Sequence, residues 1–598
     1  MNTPDPASPT AQRELVSKTS VLRWSRMPSW LSRPQWLEPA ALVVIIALAI
    51  VLRFWGIGFG FPEHVRPDEQ YFVGAVQRFD RQATLDPDWF YYPSLYMYIN
   101  LAVWRGYVLW QLVRGNYTVP NPALGQPPYF GLEQLRARSP DIDYLLGRCV
   151  TAAFGVATVV LVYFFARRFF GRKAAVAAGL LLAVNSLHTL NSHFYKSDVA
   201  TTFFTVAALA CMARYVQARQ TRWNVGAAIG TGLATATNYY GGFLAVPLAA
   251  SQFMARYENQ KSVLDAARAT GRAILEGLIC WQTYAMAALA LAVFVAASPY
   301  CFIRWTDFLS AFHRMLFADR QTLYDTMVRV VGFRDFGFQG SPLLYSVRFC
   351  YVYSMGFALA VVAACGLIYL AVRGRATGWL LLMFFAVHFF MTASGKAIFM
   401  RYYLSLIPVL TIAAGALLSS AAQKQARKKV GRQNVLLAVA LFICGAECFS
   451  TSKQQDRLLV QKDTRVEARE WLAKNLPPNT IVGTPVDWWG NYYPYGKPTL
   501  PAKCFYVPVR PDEVRDRGIR YVLVDSSHLR LYSPLERPEW TFWLSKNAKL
   551  IYEVTPNRMP TEKSFLLYDQ LDAFYVPVDG FTNLAIPGPQ IRVYQVLP

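Results

Sequence analysis

Two adjacent carboxylates, Asp68 and Glu69, follow soon after a strongly apolar segment at residues 41–55. A carboxylate within hydrogen-bond reach of a hydroxyl can take its proton during nucleophilic attack, so the pair contains a candidate general base. Neighbouring residues of a helix point about 100° apart, so one acid is expected to face a substrate while the other orients nearby groups. The alternative is structural: Pro67 could begin a helix whose positive end both acids stabilise.

Further polar side chains stand at the ends of apolar segments, in loops expected on the same side of a membrane as the acid pair. Ionisable groups at membrane level are costly and commonly mark function. Asp198 is a second catalytic candidate. The candidate substrate-binding residues are His193, Lys196, Tyr239, Arg304, Lys396, Arg401 and Tyr402.

Each of these residues also has a structural interpretation. Asp198 or its neighbour could cap a helix, and His193 could be a solvated loop residue rather than a ligand. Lys196, Lys396 and Arg401 could lie among lipid head groups, and tyrosines near the ends of apolar segments are typical of the membrane interface. The functional prediction therefore depends on the whole set.

Acids and cations together at one membrane surface suit a sugar joined through phosphate to a long polyprenol. The acceptor hydroxyl must lose a proton as it attacks the anomeric carbon, and a carboxylate can take it. The leaving polyprenyl phosphate needs no proton, but it needs positive charge, which Lys and Arg supply. The set therefore predicts transfer of a sugar from a polyprenyl-phosphate donor to an acceptor hydroxyl, with one acid of the Asp68–Glu69 pair as the base.

Composition places the chain in a membrane. It has 598 residues, of which 54% are hydrophobic and 16% charged, against about 25% charged in soluble domains. The net charge of +23 comes largely from short loops between apolar runs, which is how positive loops orient a membrane protein. No nucleic-acid partner is therefore expected. The nine cysteines show neither metal-binding spacing nor a disulfide framework.

Eleven apolar segments have the character of membrane crossings. They lie near residues 39–56, 144–165, 174–190, 199–216, 225–238, 241–254, 275–298, 346–372, 377–393, 402–420 and 434–450. With this count, six basic loop segments all fall on the cytoplasmic side. The pattern predicts a multi-pass protein of the inner (plasma) membrane, with the candidate site and the C-terminal domain on the periplasmic side.

Three parts are expected: a disordered cytoplasmic tail at 1–38, a transmembrane catalytic domain at 39–450 and an extracytoplasmic α/β domain at 451–598. The catalytic domain contains a large first external loop at 57–143. Within it, a helix should bury Phe72, Ala75, Val76 and Phe79 on one face, and residues 95–113 should form a helix lying in the interface.

The last part should combine one helix with several short strands. Residues 463–480 predict a helix ended by two prolines. Strands are predicted at TIVGTPV (480–486), IRYVLVDSS (519–527), KLIYEVT (549–555) and IRVYQVL (591–597). The short segments at 225–254, interrupted by NYYGG (238–242), are expected to be two brief helices or a re-entrant pair.

Six short motifs resemble, in order, those of the GT-C glycosyltransferases, and within them the protein O-mannosyltransferase and aminoarabinose-transferase-like group. They are PDEQYF (67–72), YYPSLYMY (91–98), SHFYKSDVATTFF (192–204), TATNYYGGFLAVP (235–247), SPYCF (298–302) and FMRYYLSLIPVL (399–410). The resemblance spans roughly residues 40–450. It implies a GT-C fold and an inverting transferase that uses a polyprenyl-phosphate sugar.

The resemblance also assigns roles to particular residues. It maps the catalytic acid onto Asp68 with Glu69 beside it, the second acid onto Asp198, and phosphate contacts onto Lys196 and Arg401. Many relatives have a basic residue where this chain has Asn238, so a phosphate contact from that turn is not expected. Metal use differs among these enzymes, so no cofactor is assigned and a divalent metal is left open.

Two other functions fit a multi-pass chain. A transporter or flippase of a lipid-linked saccharide would need alternating access, often built from inverted repeats, and the sequence contains none that we detect. A structural subunit of an envelope assembly would use the C-terminal domain to bind its partner. The sequence identifies neither the sugar nor the acceptor, which could be lipid, polysaccharide or protein.

Overall fold

The protein is described by a computed structural model over residues 37–66, 68–256, 272, 274–315, 342–395, 398–425, 430–485, 497–526, 538–559, 566–569 and 576–598. Up to residue 459 this described chain is mainly helical. Its helices are Leu37–Phe54, Glu69–Arg81, Leu95–Val113, Phe130–Arg138, Ile142–Phe170, Arg172–Ala183, Ser186–Asn191, Asp198–Ala218, Thr221–Thr237, Ala245–Met254, Trp281–Ala297, Tyr300–Ile303, Trp305–His313, Pro342–Tyr345, Val352–Met355, Phe357–Arg373, Ala376–Ala393, Ile407–Gln425 and Val430–Leu459.

Five helices of the described chain are long and apolar enough to cross a membrane, and one sharply bent pair would make a sixth. The predicted number of eleven crossings stays a prediction, since it also counts shorter helices such as Arg172–Ala183. Helix Ile142–Phe170 has 29 residues and Val430–Leu459 has 30, so both extend beyond their predicted apolar segments.

Two predicted spans are wrong as single helices. In the segment 346–372 the chain bends by 111° between Pro342–Met355 and Phe357–Arg373. Gly356 has φ +72° there, a conformation that favours glycine, and Glu447 accepts a hydrogen bond from the Phe357 amide at 2.8 Å. In the segment 174–190 the first helix ends at Ala183, and Asn185 caps a second one by accepting from the His188 amide.

Small residues bring the helices close together. Helix Asp198–Ala218 packs against Thr221–Thr237 and Ile142–Phe170, and a Cβ placed on Gly230 would lie 3.0 Å from the Cα of Ala208. Close packing of small residues is the main source of attraction between helices in lipid, where apolar burial against water no longer favours association. These contacts form the rigid base on which the external segments stand.

The first external loop folds largely as predicted. Helix Glu69–Arg81 buries Phe72, Ala75, Val76 and Phe79, and residues Leu95–Val113 form one continuous helix. The predicted interfacial position of the second helix stays a prediction. Between residues 225 and 254 the chain forms a helix ending at Thr237, a 3-10 segment at Tyr239–Leu244 and a helix at Ala245–Met254, so two short helices are present.

The C-terminal part is a small α/β domain, as predicted. Its strands are β1 (Ile481–Pro485), β2 (Phe505–Val509), β3 (Tyr521–Ser526), β4 (Ala548–Val554) and β5 (Gln590–Val596). The strand order is β2-β1-β3-β5-β4, with β1 parallel to β2 and β3, and β5 antiparallel to β3 and β4. Strand β2 was not predicted, because Pro508 in its sequence argues against a strand. The strand forms nevertheless because β2 lies at the edge of the sheet, where proline is tolerated.

Both faces of this sheet are covered. Leu472 of helix Thr464–Asn475 packs with Leu523 of β3, while Leu544 of helix Pro538–Asn547 packs with Val522 on the opposite face. Successive strand residues point to opposite faces, so β3 is buried on both sides. The first helix ends at Asn475, just before the two prolines that were predicted to end it, because Leu476 precedes a proline and is extended.

Candidate active site

Asp68 lies at the N-terminus of helix Glu69–Arg81, but its side chain does not cap that helix. Its Oδ2 instead accepts a hydrogen bond from the Lys196 ammonium and lies 3.5 Å from Nη2 of Arg401. The Asp68 side chain is 33% exposed, whereas Lys196 is 2% exposed. The helix-end interpretation of Asp68 therefore does not account for its contacts, and Pro67 lies outside the described residues.

Electrostatics keep Asp68 ionised. Burial by itself raises the pKa of this carboxyl. The charges of Lys196, Arg401 and Arg66 and the hydrogen bond from Lys196 lower the pKa by more than burial raises it. The net result is a pKa well below the usual range of aspartic acid. A carboxylate held between cations in this way is a proton acceptor whose basicity depends on how strongly the cations remain attached to it.

Glu69 has different partners from its neighbour. Arg148 donates two hydrogen bonds to it, at 2.9 Å and 2.6 Å, and neither side chain is exposed. Glu69 Oε1 also accepts from the Tyr195 amide at 2.8 Å. Because Tyr195 precedes Lys196, Glu69 fixes the two chain segments that carry Asp68 and its cation. Its contacts support the orienting role predicted for one acid of the pair.

Arg148 extends this anchor to the start of the external loop. Its Nη1 donates to the Ile57 and Phe59 carbonyls at 3.0 Å and 2.8 Å, and its guanidinium lies over the Phe59 ring. The sequence carried a signal for this partner, because an arginine within the apolar segment of Ile142–Phe170 needs a buried acid. Residue type alone does not identify Glu69 as that acid.

A glycine lets Tyr195 approach the helix that carries Arg148. A Cβ at Gly147 would lie 2.2 Å from the Tyr195 ring, so no larger residue fits without displacing that ring. The ring packs against Phe72 and Tyr96 at centroid distances of 5.6 Å and 5.9 Å. The aromatic packing and the Glu69 contact together determine where Lys196 points.

Asp198, the second acid, begins helix Asp198–Ala218 and is buried. Its Oδ1 lies 3.4 Å from the Asn238 side-chain nitrogen, so Asn238 contacts the acid and caps the following 3-10 segment. The neighbouring Ser197 makes no side-chain cap hydrogen bond. Ser197 therefore does not cap the helix. The carboxylate of Asp198 still stabilises the helix, because it lies at the positive end of the helix dipole.

Tyr92 is a residue that the sequence reasoning did not select. Burial raises its pKa strongly, the charge of Arg401 opposes that rise, and Asp198, Asp68 and Tyr402 add to it. Its ring packs on Phe72 and Trp89, while its hydroxyl forms no hydrogen bond with any described residue. A phenol so placed can hydrogen-bond to a substrate between the two acids. Nothing in a sequence so rich in tyrosine distinguishes this one.

A cavity opens beside the cations. It is lined by Arg66, Asn191, Arg401, Asp569 and Val576, among other residues. Asp569 and Val576 follow the α/β domain's helices in sequence, so the C-terminal part supplies one wall. The Met400 amide, next to Arg401, donates to Asp569 Oδ2 at 2.9 Å. Arg66 lies over the Phe194 ring and was also not predicted.

Tyr402 lies in the same 3-10 segment as Arg401, Met400–Leu406. Its ring packs on Tyr240 and Phe399 at 4.9 Å and 5.0 Å, and its carbonyl accepts from His388. Tyr402 therefore belongs to the surroundings of Tyr92 and Arg401. Lys396 lies outside the described residues.

Three other predicted substrate-binding residues have structural partners elsewhere. His193 is fully buried, with its ring nitrogens 3.0 Å from the Thr189 and Trp55 carbonyls, so it is not a solvated loop residue either. These contacts give no support to substrate binding by His193. Substrate binding by His193 therefore stays a prediction.

Between them, Arg304 and Tyr239 contact residues 86–90 and Asp307, and neither residue contacts Asp68 in the part of the chain that the structure describes. Arg304 pairs with Asp86, Asp88 and Asp307, and these ion pairs occupy its guanidinium. The Tyr239 hydroxyl donates to the Phe90 carbonyl at 2.9 Å. Both contacts brace the external loop, and neither supports the predicted contact with substrate.

No group of three or more His, Cys, Asp or Glu side chains in the described ranges is arranged to hold a metal ion. Asp68 and Asp198 have cationic and amide partners instead. The chemistry visible at this site is that of carboxylates, cations and a phenol.

Comparisons with known proteins give one family match and several similar solved structures. Residues 145–282 match the family described as dolichyl-phosphate-mannose-protein mannosyltransferase. No curated protein sequence matches the chain.

Among solved structures, the oligosaccharyltransferase of Archaeoglobus fulgidus in the apo form is 16% identical, with a TM-score of 0.47 over 88% of this chain and 74% of that one. ArnT of Cupriavidus metallidurans bound to undecaprenyl phosphate is 13% identical, with a TM-score of 0.44 over 95% and 98% of the two chains. The family match over residues 145–282 agrees with the resemblance predicted from the motifs.

Proposed function

We propose that the protein transfers a sugar from a polyprenyl-phosphate donor to an acceptor hydroxyl, with Asp68 as general base. The main support is the position of Asp68, which is accessible, ionised and in contact with Lys196 and Arg401 from two distant segments. The family matched by residues 145–282 is described by a dolichyl-phosphate-mannose donor and a protein acceptor. Mannose on a polyprenyl phosphate is therefore the first donor to test.

The geometry suggests how the base becomes active. Before the donor arrives, Lys196 and Arg401 neutralise Asp68 and keep its pKa low. A donor phosphate that binds these cations draws positive charge away from the carboxylate, and the Asp68 pKa then rises towards the range useful for proton abstraction. Donor binding and activation of the base are coupled in this way.

The reaction is a single displacement. The acceptor oxygen bonds to the anomeric carbon, its proton passes to Asp68, and the bond from that carbon to the phosphate oxygen breaks. Lys196 and Arg401 stabilise the negative charge that develops on the phosphate, while Glu69 and Arg148 hold the base and the cation in register. One displacement inverts the configuration of the sugar. We place this site, and the C-terminal domain, on the periplasmic side of the inner membrane.

The test uses purified full-length protein in detergent with a polyprenyl-phosphate mannose and a crude envelope fraction as acceptor. Transfer should require Asp68 and should fall about a thousandfold in the Asp68→Asn variant, within the usual range for loss of a general base. The matched control is Glu133→Gln, in the same external loop, whose side chain is 34% exposed and pairs with Arg81. Full transfer by Asp68→Asn would reject the assignment.

A further inference from the structure

An open cleft lies between the last long helix and the C-terminal domain. None of its lining residues lines the cavity next to Arg401. Its cavity volume is about 190 Å³, enough for a small polar group but not for a whole lipid. The residues that matter for its chemistry are Gln454, Arg457 and Leu458 of helix Val430–Leu459, and Arg558, Phe581 and Leu584 of the C-terminal domain.

One side of the cleft is cationic. Arg457 and Arg558 are both exposed, and neither guanidinium forms an ion pair with any described residue. Among the described residues no acid lines the cleft, and Asp456, which precedes Arg457, is fully buried. The backbone at Arg558 is held in place because its amide donates to the Asn583 carbonyl at 2.8 Å. Two guanidinium groups that line one space suit a phosphate.

The other side of the cleft is apolar. Leu458 and Leu584 belong to one buried cluster, and Phe581 packs against it. A small soluble anion has no apolar surface to bury against Leu458, Leu584 and Phe581. A ligand with hydrocarbon next to its phosphate would bury that hydrocarbon there and gain binding free energy. The combination fits an amphipathic ligand with an anionic head.

The position along the helix matches a lipid head group. The apolar part of the helix ends near residue 450, and Arg457 follows seven residues later, about 10 Å further along at 1.5 Å per residue. The polar layer of a bilayer extends about 5–8 Å beyond its hydrocarbon on each side, and an arginine side chain can reach back into that layer. Phe449, which is exposed, marks the end of the apolar surface.

We propose that this cleft binds the head group of an anionic phospholipid, with Arg457 and Arg558 on its phosphate and its first hydrocarbon segment on Leu458 and Phe581. Such a lipid would join the end of the membrane helix to the C-terminal domain. This binding is independent of the sugar-transfer function proposed above.

The test measures lipid binding by delipidated full-length protein in detergent. Dioleoylphosphatidylglycerol, dioleoylphosphatidylcholine and inorganic phosphate are titrated separately, with the thermal midpoint and native mass spectrometry as readouts. The variants are Arg457→Gln, Arg558→Gln and their combination. Lys549→Gln, an exposed cation on β4, is the matched control for loss of one charge.

We expect phosphatidylglycerol to raise the midpoint and to remain bound in the mass spectrum, with phosphatidylcholine and inorganic phosphate much less effective. Each arginine variant should raise the Kd for phosphatidylglycerol about fivefold, since a cation near a membrane surface contributes about 1 kcal/mol of binding free energy. Lys549→Gln should bind as the parent does. Unchanged lipid binding by both single variants would overturn the proposal, and so would equal stabilisation by inorganic phosphate.

Discussion

Two carboxylates in the first external loop each pair with two cations, yet their surroundings differ. Asp68 contacts Lys196 and Arg401 and is 33% exposed. Asp80 contacts Arg105 and Arg136 at 2.5 Å and 2.9 Å and is not exposed at all.

The remaining partners explain that difference. Asp80 also accepts from the Trp104 indole at 2.6 Å, and Arg136 binds Asp143 as well, so this cluster closes on itself. In the Asp68 cluster, by contrast, Arg401 lines a cavity, and the nearby Tyr92 hydroxyl has no hydrogen bond to any residue that the structure describes. An ion pair alone therefore does not mark a catalytic site. A carboxylate that is paired and still accessible does so much better.

The largest predicted effect separates the two carboxylates directly. Asp68→Asn should lower kcat about a thousandfold while the protein still folds. Asp80→Asn should remove one of the two buried counter-charges of Arg136 and cost about 3–5 kcal/mol of unfolding free energy, with near-normal kcat in the folded fraction. Steady-state kinetics and denaturant unfolding on both variants measure this. A stable, inactive Asp80→Asn would contradict the comparison.

The second prediction concerns the cation on Asp68. Lys196→Gln should lower kcat about a hundredfold, because the leaving phosphate loses a donor. It should also move the acid limb of the kcat/KM profile to higher pH, since Lys196 lowers the Asp68 pKa and its removal lets the carboxyl protonate sooner on acidification. Lys462→Gln, which removes an exposed cation paired with Glu470, is the control. An unshifted limb would mean that Asp68 is not the titrating group.

A third prediction tests the support beneath the cluster. Gly147→Ala should displace the Tyr195 ring and cost about 1–3 kcal/mol, the usual penalty for overpacking, and should reduce kcat because Lys196 follows Tyr195. Gly74→Ala is the matched change, since a Cβ there meets nothing within 4 Å. Thermal unfolding of both variants, together with their kcat values, compares the two positions. Equal stability would show that Tyr195 can move freely.

The smallest predicted effect belongs to Tyr92. Tyr92→Phe should lower kcat/KM about tenfold, because losing one hydrogen bond to the transition state costs about 1.4 kcal/mol. The thermal midpoint should stay unchanged. Tyr98→Phe removes a hydroxyl that donates to the Leu85 carbonyl, so it should affect stability instead of catalysis. Wild-type activity in Tyr92→Phe would remove this residue from the site.

The sequence supported the grouping of Asp68 with Lys196 and Arg401, because loop charges assign them to one membrane face and the motifs occur in the expected order. It also predicted the buried face of helix Glu69–Arg81, where the apolar spacing is regular. It could not decide which acid of the pair faces outwards. That depends on Arg148, which lies 79 residues from Glu69.

Other failures have identifiable causes. Gly356 breaks a predicted span because one φ angle interrupts an otherwise apolar segment, and composition alone does not reveal such an angle. Substrate binding by His193 and Arg304 stays a prediction, and residue type alone did not reveal their contacts with the Trp55 carbonyl and with Asp86. Residue type indicated which chemistry was available, whereas the role of each residue depended on tertiary contacts.

The contact between Asp569 and the Met400 amide has a practical consequence for dissecting the protein. Glu63 likewise accepts hydrogen bonds from the backbone and hydroxyl of Thr499, at 2.8 Å and 2.5 Å. A truncation that ends after the last long helix would delete partners of both the first loop and the segment bearing Arg401. Loss of turnover in such a fragment would therefore not show that the deleted domain recognises the acceptor, and complementation between separately expressed halves is the more informative design.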